Sequence, residues 1–249
     1  FYEPKGNPSG DIHWHWYPSR VTGTTRKCLV YTPPAYRDDP SKHYPVLFLQ
    51  HGSGESEMGW TMQGRTNFIL DNLIAEERAA PMIVVMDNGY APAPDADNRT
   101  TPRGEENRFE ENLLHDLIPD IDESFRTLKS RDYRALAGLS MGAGQATRIG
   151  FANLDTFAWI GAFSGGSRDF DVKTSHGGIF ADPDRFHERV KLFWIGCGDL
   201  DRGYERAKSM HDALEGHGIR HVWHEMHGSH EWQVWRRHLY EFAQLLFQE

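Results

Sequence analysis

The chain alternates between short runs that are apolar throughout and longer stretches in which apolar residues recur every three or four positions. Residues 45–50, 82–86, 133–139, 157–163 and 192–198 form the short runs, each bounded by Gly, Pro or charged residues. Runs of this length without polar alternation predict strands buried on both faces of a parallel sheet. The intervening stretches 61–79, 109–125, 142–151, 183–190, 203–217 and 231–247 carry helical spacing, with Pro119 expected to kink the second. Residues 219–226 read as a last strand. At the amino terminus, 11–17 alternates strictly, with Ile12, Trp14 and Trp16 set against His13, His15 and Tyr17, and 26–31 follows before Pro33-Pro34. These two read as an antiparallel hairpin at a sheet edge. The order predicts an α/β fold with a mostly parallel central sheet, helices on both faces and one domain spanning 1–249, residues 1–10 being a loose arm.

One junction in this pattern carries chemistry. The run 133–139 ends in Gly138-Leu139-Ser140-Met141-Gly142 and passes directly into a helical stretch. A serine with a glycine one residue removed on each side can occupy a sharp strand-to-helix turn that leaves its Oγ exposed, which is the nucleophile elbow of an α/β-hydrolase. A serine hydroxyl needs a base within hydrogen-bond reach and an acid to orient that base. In this fold the acid and then the histidine follow in loops after later strands. After 192–198 come Asp199 and Asp201, which compete for the acid's place. After 219–226 comes Gly228-Ser229-His230, where His230 is the expected base and His227 the fallback. Upstream, His51-Gly52-Ser53-Gly54 follows a buried strand, where backbone N–H groups can line an oxyanion hole.

The spacing of His221, His224, His227 and His230 invites a metal. On a strand, however, steps of three send side chains to opposite faces. His13 and His15 share a face but have no acidic third ligand nearby and read as surface. No metal and no cofactor are expected. The acidic residues opening 109–125 read as a solvated face. The 27 Lys and Arg against 36 Asp and Glu give a net charge of −9, which argues against nucleic acid. No apolar run is long enough to span a membrane. The first residues, Phe1-Tyr2-Glu3-Pro4, lack the layout of a signal peptide. Cys28 and Cys197 sit in apolar runs and read as buried thiols rather than a bridge. The long polar stretch 87–108 and the Gly/Ser/Asp-rich 164–178 are candidate substrate-shaping loops.

From about Val21 to Phe247 the chain resembles carbohydrate esterase family 1, the bacterial feruloyl esterases and acetyl xylan esterases. Ala137-Gly138-Leu139-Ser140-Met141-Gly142, Tyr31-Thr32-Pro33-Pro34, Gly198-Asp199-Leu200-Asp201 and His230-Glu231-Trp232-Gln233-Val234-Trp235 carry the resemblance. Enterochelin esterases and S-formylglutathione hydrolases share parts of it. Ala143 departs from the family's usual third glycine, with little consequence in a helix. The resemblance implies Ser140 as nucleophile, His230 as base and Asp201 as acid, with the N–H groups of Ser53 and Met141 as the oxyanion hole. It also implies a feruloyl or acetyl ester of plant xylan as substrate, and a secreted or periplasmic location. Trp60 and Trp232, beside the expected site, are candidates for stacking on sugar or phenol. A small thioester or siderophore ester as substrate, and a noncatalytic carbohydrate-binding domain on the same fold, are the alternatives. Oligomeric state is not readable.

Overall fold

A computed structural model describes residues 1–94, 107–167 and 169–248. Its eight strands form one sheet in the order β1-β2-β4-β3-β5-β6-β7-β8. β1 (Asp11–Ser19) and β2 (Thr24–Thr32) are antiparallel, and β2 pairs antiparallel with β4 (Ile83–Asp87). β3 (Val46–Gln50), β5 (Arg134–Leu139), β6 (Trp159–Phe163), β7 (Leu192–Gly198) and β8 (Val222–Met226) continue in parallel. Alternate residues feed opposite cores. Leu47, Leu49, Ala135, Ala137 and Trp194 pack beneath α2 (Thr66–Ala75) and α8 (Trp232–Ala243). Val46, Phe48 and Leu136 face the helix formed by α3 (Phe109–Asn112), a π turn and α4 (Ile118–Ser124), together with α5 (Met141–Ala152). Phe193 and Ile195 pack with α5, α6 (Pro183–Arg189) and α7 (Tyr204–Gly216). Because the central strands run the same way, their carboxyl ends share one edge, and every expected site loop leaves from it. Among the described residues, no helix is long and apolar enough to cross a membrane.

Four expectations are corrected. The face of β1 is inverted: Tyr17 is fully buried, whereas Trp14 and Trp16 are 52% and 59% exposed. The cause lies in the helix over that face. Its Asn112 donates to Tyr17 Oη (2.9 Å), its Asp116 accepts from Ser19 Oγ (2.8 Å) and its Asp120 pairs with His15. His13 and His15 therefore pack edge-on against Phe125 rather than lying on open surface. Residues 1–10 form no helix or strand but are docked: Asn72 Nδ2 donates to the carbonyls of Phe1 and Glu3, and Arg237 sits over the Phe1 ring.

The stretch 61–79 is not one helix. α1 (Gly59–Met62) ends before Arg65, whose φ of 59° lies in the left-handed region, and α2 starts afresh at Thr66. A Cβ on Gly64 would lie 2.4 Å from the Trp60 carbonyl, so only glycine fits this close crossing. Finally, the stretch 109–125 meets Pro119 through the π turn Leu113–Leu117 instead of a simple kink. Pro119 has no N–H to give the carbonyl four residues earlier, and the wider π turn lies where that bond is missing.

Candidate active site

Ser140 sits between β5 and α5 with φ 53° and ψ −110°, a conformation unfavourable for a residue bearing Cβ. The surroundings hold it there. Its N–H donates to Phe163 O on β6 (2.9 Å), and the next turn of α5 begins at once. The flanking glycines are a steric requirement. A Cβ on Gly138 would fall 2.6 Å from the Gly142 carbonyl, and one on Gly142 2.6 Å from the His51 carbonyl. Strand, helix and upstream loop thus cross at van der Waals distance around the serine.

Two other loops reach this point. His230, in the loop before α8, places Nε2 2.9 Å from Ser140 Oγ and Nδ1 2.7 Å from Asp201 Oδ2. Asp201 follows β7 and its side chain is fully buried. Its Oδ1 accepts the Gly203 N–H (2.7 Å), so each carboxylate oxygen has a fixed partner. Burial alone would raise the Asp201 pKa, but the hydrogen bonds from His230, Gly203 and Ser164 outweigh it and hold the group below the ordinary aspartate value. Ser164 in turn accepts from Trp235 Nε1 (2.9 Å). Asp199, the competitor, pairs instead with His227 (3.0 Å) at the surface. Neither Asp199 nor His227 meets Ser140.

The four histidines spaced by three disperse as the strand geometry requires. His221 bonds His211 on α7 (2.7 Å), His224 stacks on Trp194 on the opposite face, His227 meets Asp199 and His230 meets Ser140. They do not form a metal cluster. Among the described residues one acidic grouping, His211, Asp212 and Glu215 on α7, is compact enough to be weighed as a cation site. Lys208 already pairs with its Asp212. Cys28 and Cys197 are free and buried. Burial raises both thiols, Cys197 to about 12, so neither is a nucleophile at neutral pH.

The loop after β3 lies against the serine: a Cβ on Gly52 would stand 3.6 Å from Ser140 Cβ. Among the described residues, the N–H groups of Ser53 and Met141 donate to no protein acceptor, leaving both free for a ligand. The two tryptophans differ. Trp60 is only 1% exposed, and its Nε1 donates to Gln50 O (2.8 Å), so it is a core residue and cannot stack on a substrate. Trp232 is half-buried beside His230, with its Nε1 donating to Glu55 Oε1 (3.0 Å). The loop 87–108 falls largely on residues 95–106, and 164–178 includes Arg168; these lie outside the described residues. Sequence reasoning missed Glu55, His51 and Ser164 as supports of the site, and Tyr90, whose Oη accepts the Gly54 N–H (2.7 Å). Only His51, as the residue directly before the glycines, left a signal.

Residues 19–245 match the family described as "Putative esterase". An endo-1,4-beta-xylanase/feruloyl esterase of Xylanibacter ruminicola is 35% identical over 96% of this chain, which spans only 31% of that relative's length. The CE1 ferulic acid esterase of the anaerobic fungus Anaeromyces mucronatus superposes with a TM-score of 0.82 at 30% identity. That match covers 98% of this chain and 93% of the other, which has also been solved in complex with ferulic acid. An S-formylglutathione hydrolase of Staphylococcus aureus shares the fold at 18% identity, with a TM-score of 0.72 over 96% and 99% of the two chains.

Proposed function

The chain belongs to this esterase family, and we propose that it hydrolyses ester-linked phenolic acyl groups, feruloyl foremost, from xylan-type polysaccharide by a Ser-His-Asp mechanism. The observation that carries the reading is the unbroken chain of hydrogen bonds from Ser140 through His230 to Asp201. In this mechanism His230 Nε2 takes the Ser140 proton as Oγ attacks the ester carbonyl. Asp201 holds the imidazole by Nδ1–H and stabilises the charge it gains. The carbonyl oxygen becomes an oxyanion, received by the N–H groups of Ser53 and Met141. One such donor is worth about 100- to 1000-fold in turnover. His230 then returns its proton to the departing alcohol oxygen, leaving an acyl-serine and free alcohol. Water, deprotonated by the same histidine, attacks the acyl carbon, releases the acid and restores Ser140.

The feruloyl assignment follows the two relatives at 35% and 30% identity that are described as feruloyl or ferulic acid esterases, whereas the S-formylglutathione hydrolase likeness speaks to the fold alone. Acetyl esters of xylan are a second substrate within the same proposal. Because the polymer lies outside cells, action outside the cytoplasm belongs to the proposal too. The test compares methyl ferulate, acetylated xylan and S-formylglutathione, with Ser140→Ala as the blank. Methyl ferulate is expected to give the highest kcat/KM. A preference for S-formylglutathione transfers the assignment to small thioesters. The absence of any rate above Ser140→Ala leaves a noncatalytic carbohydrate-binding domain.

A further inference from the structure

The oxyanion loop is held from two directions by groups that never reach the substrate. Gly52 is the pivot. Its N–H donates to Glu55 Oε2 (2.9 Å), and its carbonyl accepts from His51 Nδ1 (2.8 Å) and from the Glu55 N–H (3.3 Å). Both peptide planes flanking Gly52 are therefore pinned. The proton on His51 is fixed as well: the Gly89 N–H donates to its Nε2 (2.9 Å), so Nε2 is bare and Nδ1 is the donor. Among the described residues no peptide bond is cis, so C=O and N–H of the Gly52–Ser53 unit point in opposite directions. With the carbonyl drawn toward the His51 ring, the Ser53 N–H faces away from it and has no protein acceptor.

Each pin leads back to one arm of the catalytic constellation. The Gly89 carbonyl accepts from Gln145 Nε2 (2.9 Å) on α5, the helix that begins immediately after Ser140. Glu55 Oε1 accepts from Trp232 Nε1 (3.0 Å), the first residue of α8 and two residues beyond His230. We infer that His51 and Glu55 are positioning residues that set the direction of the Gly52–Ser53 peptide and register it against the nucleophile and base helices. This rests on the esterase reading for its effect on rate, but not for its effect on geometry.

The chemistry predicts how substitutions behave. A glutamine at 55 has one acceptor oxygen where two donors, Gly52 N–H and Trp232 Nε1–H, need one each, so Glu55→Gln frees one of them. An oxyanion donor acts mainly in the transition state, so misaiming it lowers kcat and leaves KM nearly unchanged. For Glu55→Gln and His51→Ala we expect kcat on p-nitrophenyl acetate, per active site titrated with a fluorophosphonate, to fall about 10- to 100-fold with KM within about threefold. Affinity for a trifluoromethyl ketone should weaken by the same factor as kcat. His51→Asn, which can still present an N–H to the Gly52 carbonyl, should recover part of the loss.

A purely structural role would lower the melting temperature and the titrated fraction while leaving kcat per site intact, and that result overturns the inference. Crystal structures of Glu55→Gln and of His51→Ala/Glu55→Gln give an answer independent of activity. A rotated or doubly populated Gly52–Ser53 peptide supports the inference, and an unmoved peptide overturns it. Should the parent chain show no hydrolysis above Ser140→Ala, the esterase reading falls, while the peptide's orientation still decides the positioning claim.

Discussion

Two aspartate–histidine pairs stand side by side at the carboxyl end of β7 and β8, built from the same parts. In one, Asp201 meets His230 at 2.7 Å; in the other, Asp199 meets His227 at 3.0 Å. Each aspartate accepts a backbone N–H on its other oxygen, from Gly203 and Gly228 respectively. Both carboxyls are held below the ordinary aspartate range. What separates the pairs is burial and a third group. The Asp201 carboxylate is fully buried and its histidine passes the contact on to Ser140, whereas the His227 side chain is 80% exposed and does not meet Ser140. A carboxylate beside an imidazole is thus ordinary surface chemistry. It becomes a candidate catalytic dyad when water is excluded from one end and a hydroxyl occupies the other.

The largest test of that difference removes the groups nearest the substrate. Ser140→Ala and His230→Ala should each lower kcat by about 10⁴- to 10⁶-fold, since members of such a unit fail together. His227→Ala should stay within about twofold, the scale of a surface substitution. Rates on p-nitrophenyl acetate with circular dichroism as the fold control measure both. A loss at His227 approaching that at His230 would break the comparison outright.

The acids give a somewhat smaller contrast. Asparagine at 201 must set its amide against either the Gly203 N–H or the His230 Nδ1–H, because both oxygens of the native carboxylate are already accepting. The second choice forces the histidine to present the wrong nitrogen to Ser140. Asp201→Asn should therefore cost about 10³- to 10⁴-fold in kcat, and Asp199→Asn about twofold. A larger loss from Asp199→Asn would assign the acid to the surface pair.

These pairs also mark how far the sequence could be read. Chain order and strand ends brought Ser140, the two aspartates and the histidines to one edge, because parallel strands must end together. The resemblance favoured Asp201 over Asp199, but the choice rests physically on burial, which comes from the packing of loops far apart in the chain. The same limit explains β1. Period two announces two faces without saying which one a helix covers, and Asn112, Asp116 and Asp120, about a hundred residues later, cover the odd one. Trp60 looked accessible because it lies near the site in sequence. The Gln50 carbonyl and the sharp turn at Gly64 and Arg65 draw it into the core. Glu55 was illegible for a related reason: its partner Trp232 is 177 residues away.

The smallest test asks whether either pair governs stability in acid. Both aspartates are depressed, so the stability they contribute is complete above the ordinary value of 3.8 and is lost only as pH falls below it, toward their folded values. Any loss beginning near neutrality must come from groups depressed in the same direction but from a higher ordinary value, as histidines are. His238 on α8 is such a group: it is fully buried, neither ring nitrogen has a partner among the described residues, and burial followed by the nearby His224 drives its pKa well below 6.5. His224 and His221 are lowered by burial as well. The unfolded chain takes up these protons as pH falls through about 6.5 while the folded one refuses them, so stability declines from there downward. His238→Leu removes two orphaned polar atoms from beneath Trp194 and Phe163. It should raise stability at pH 6 by about 1–3 kcal/mol and lessen the fall in melting temperature between roughly pH 6.5 and 5, the share of His221 and His224 remaining. Melts monitored by circular dichroism from pH 8 to 4 check this, with His227→Ala as the matched control expected to leave the slope in place. If His227→Ala lessens the slope and His238→Leu does not, the exposed pair holds more energy than its solvent contact allows, and burial is not what separates the two.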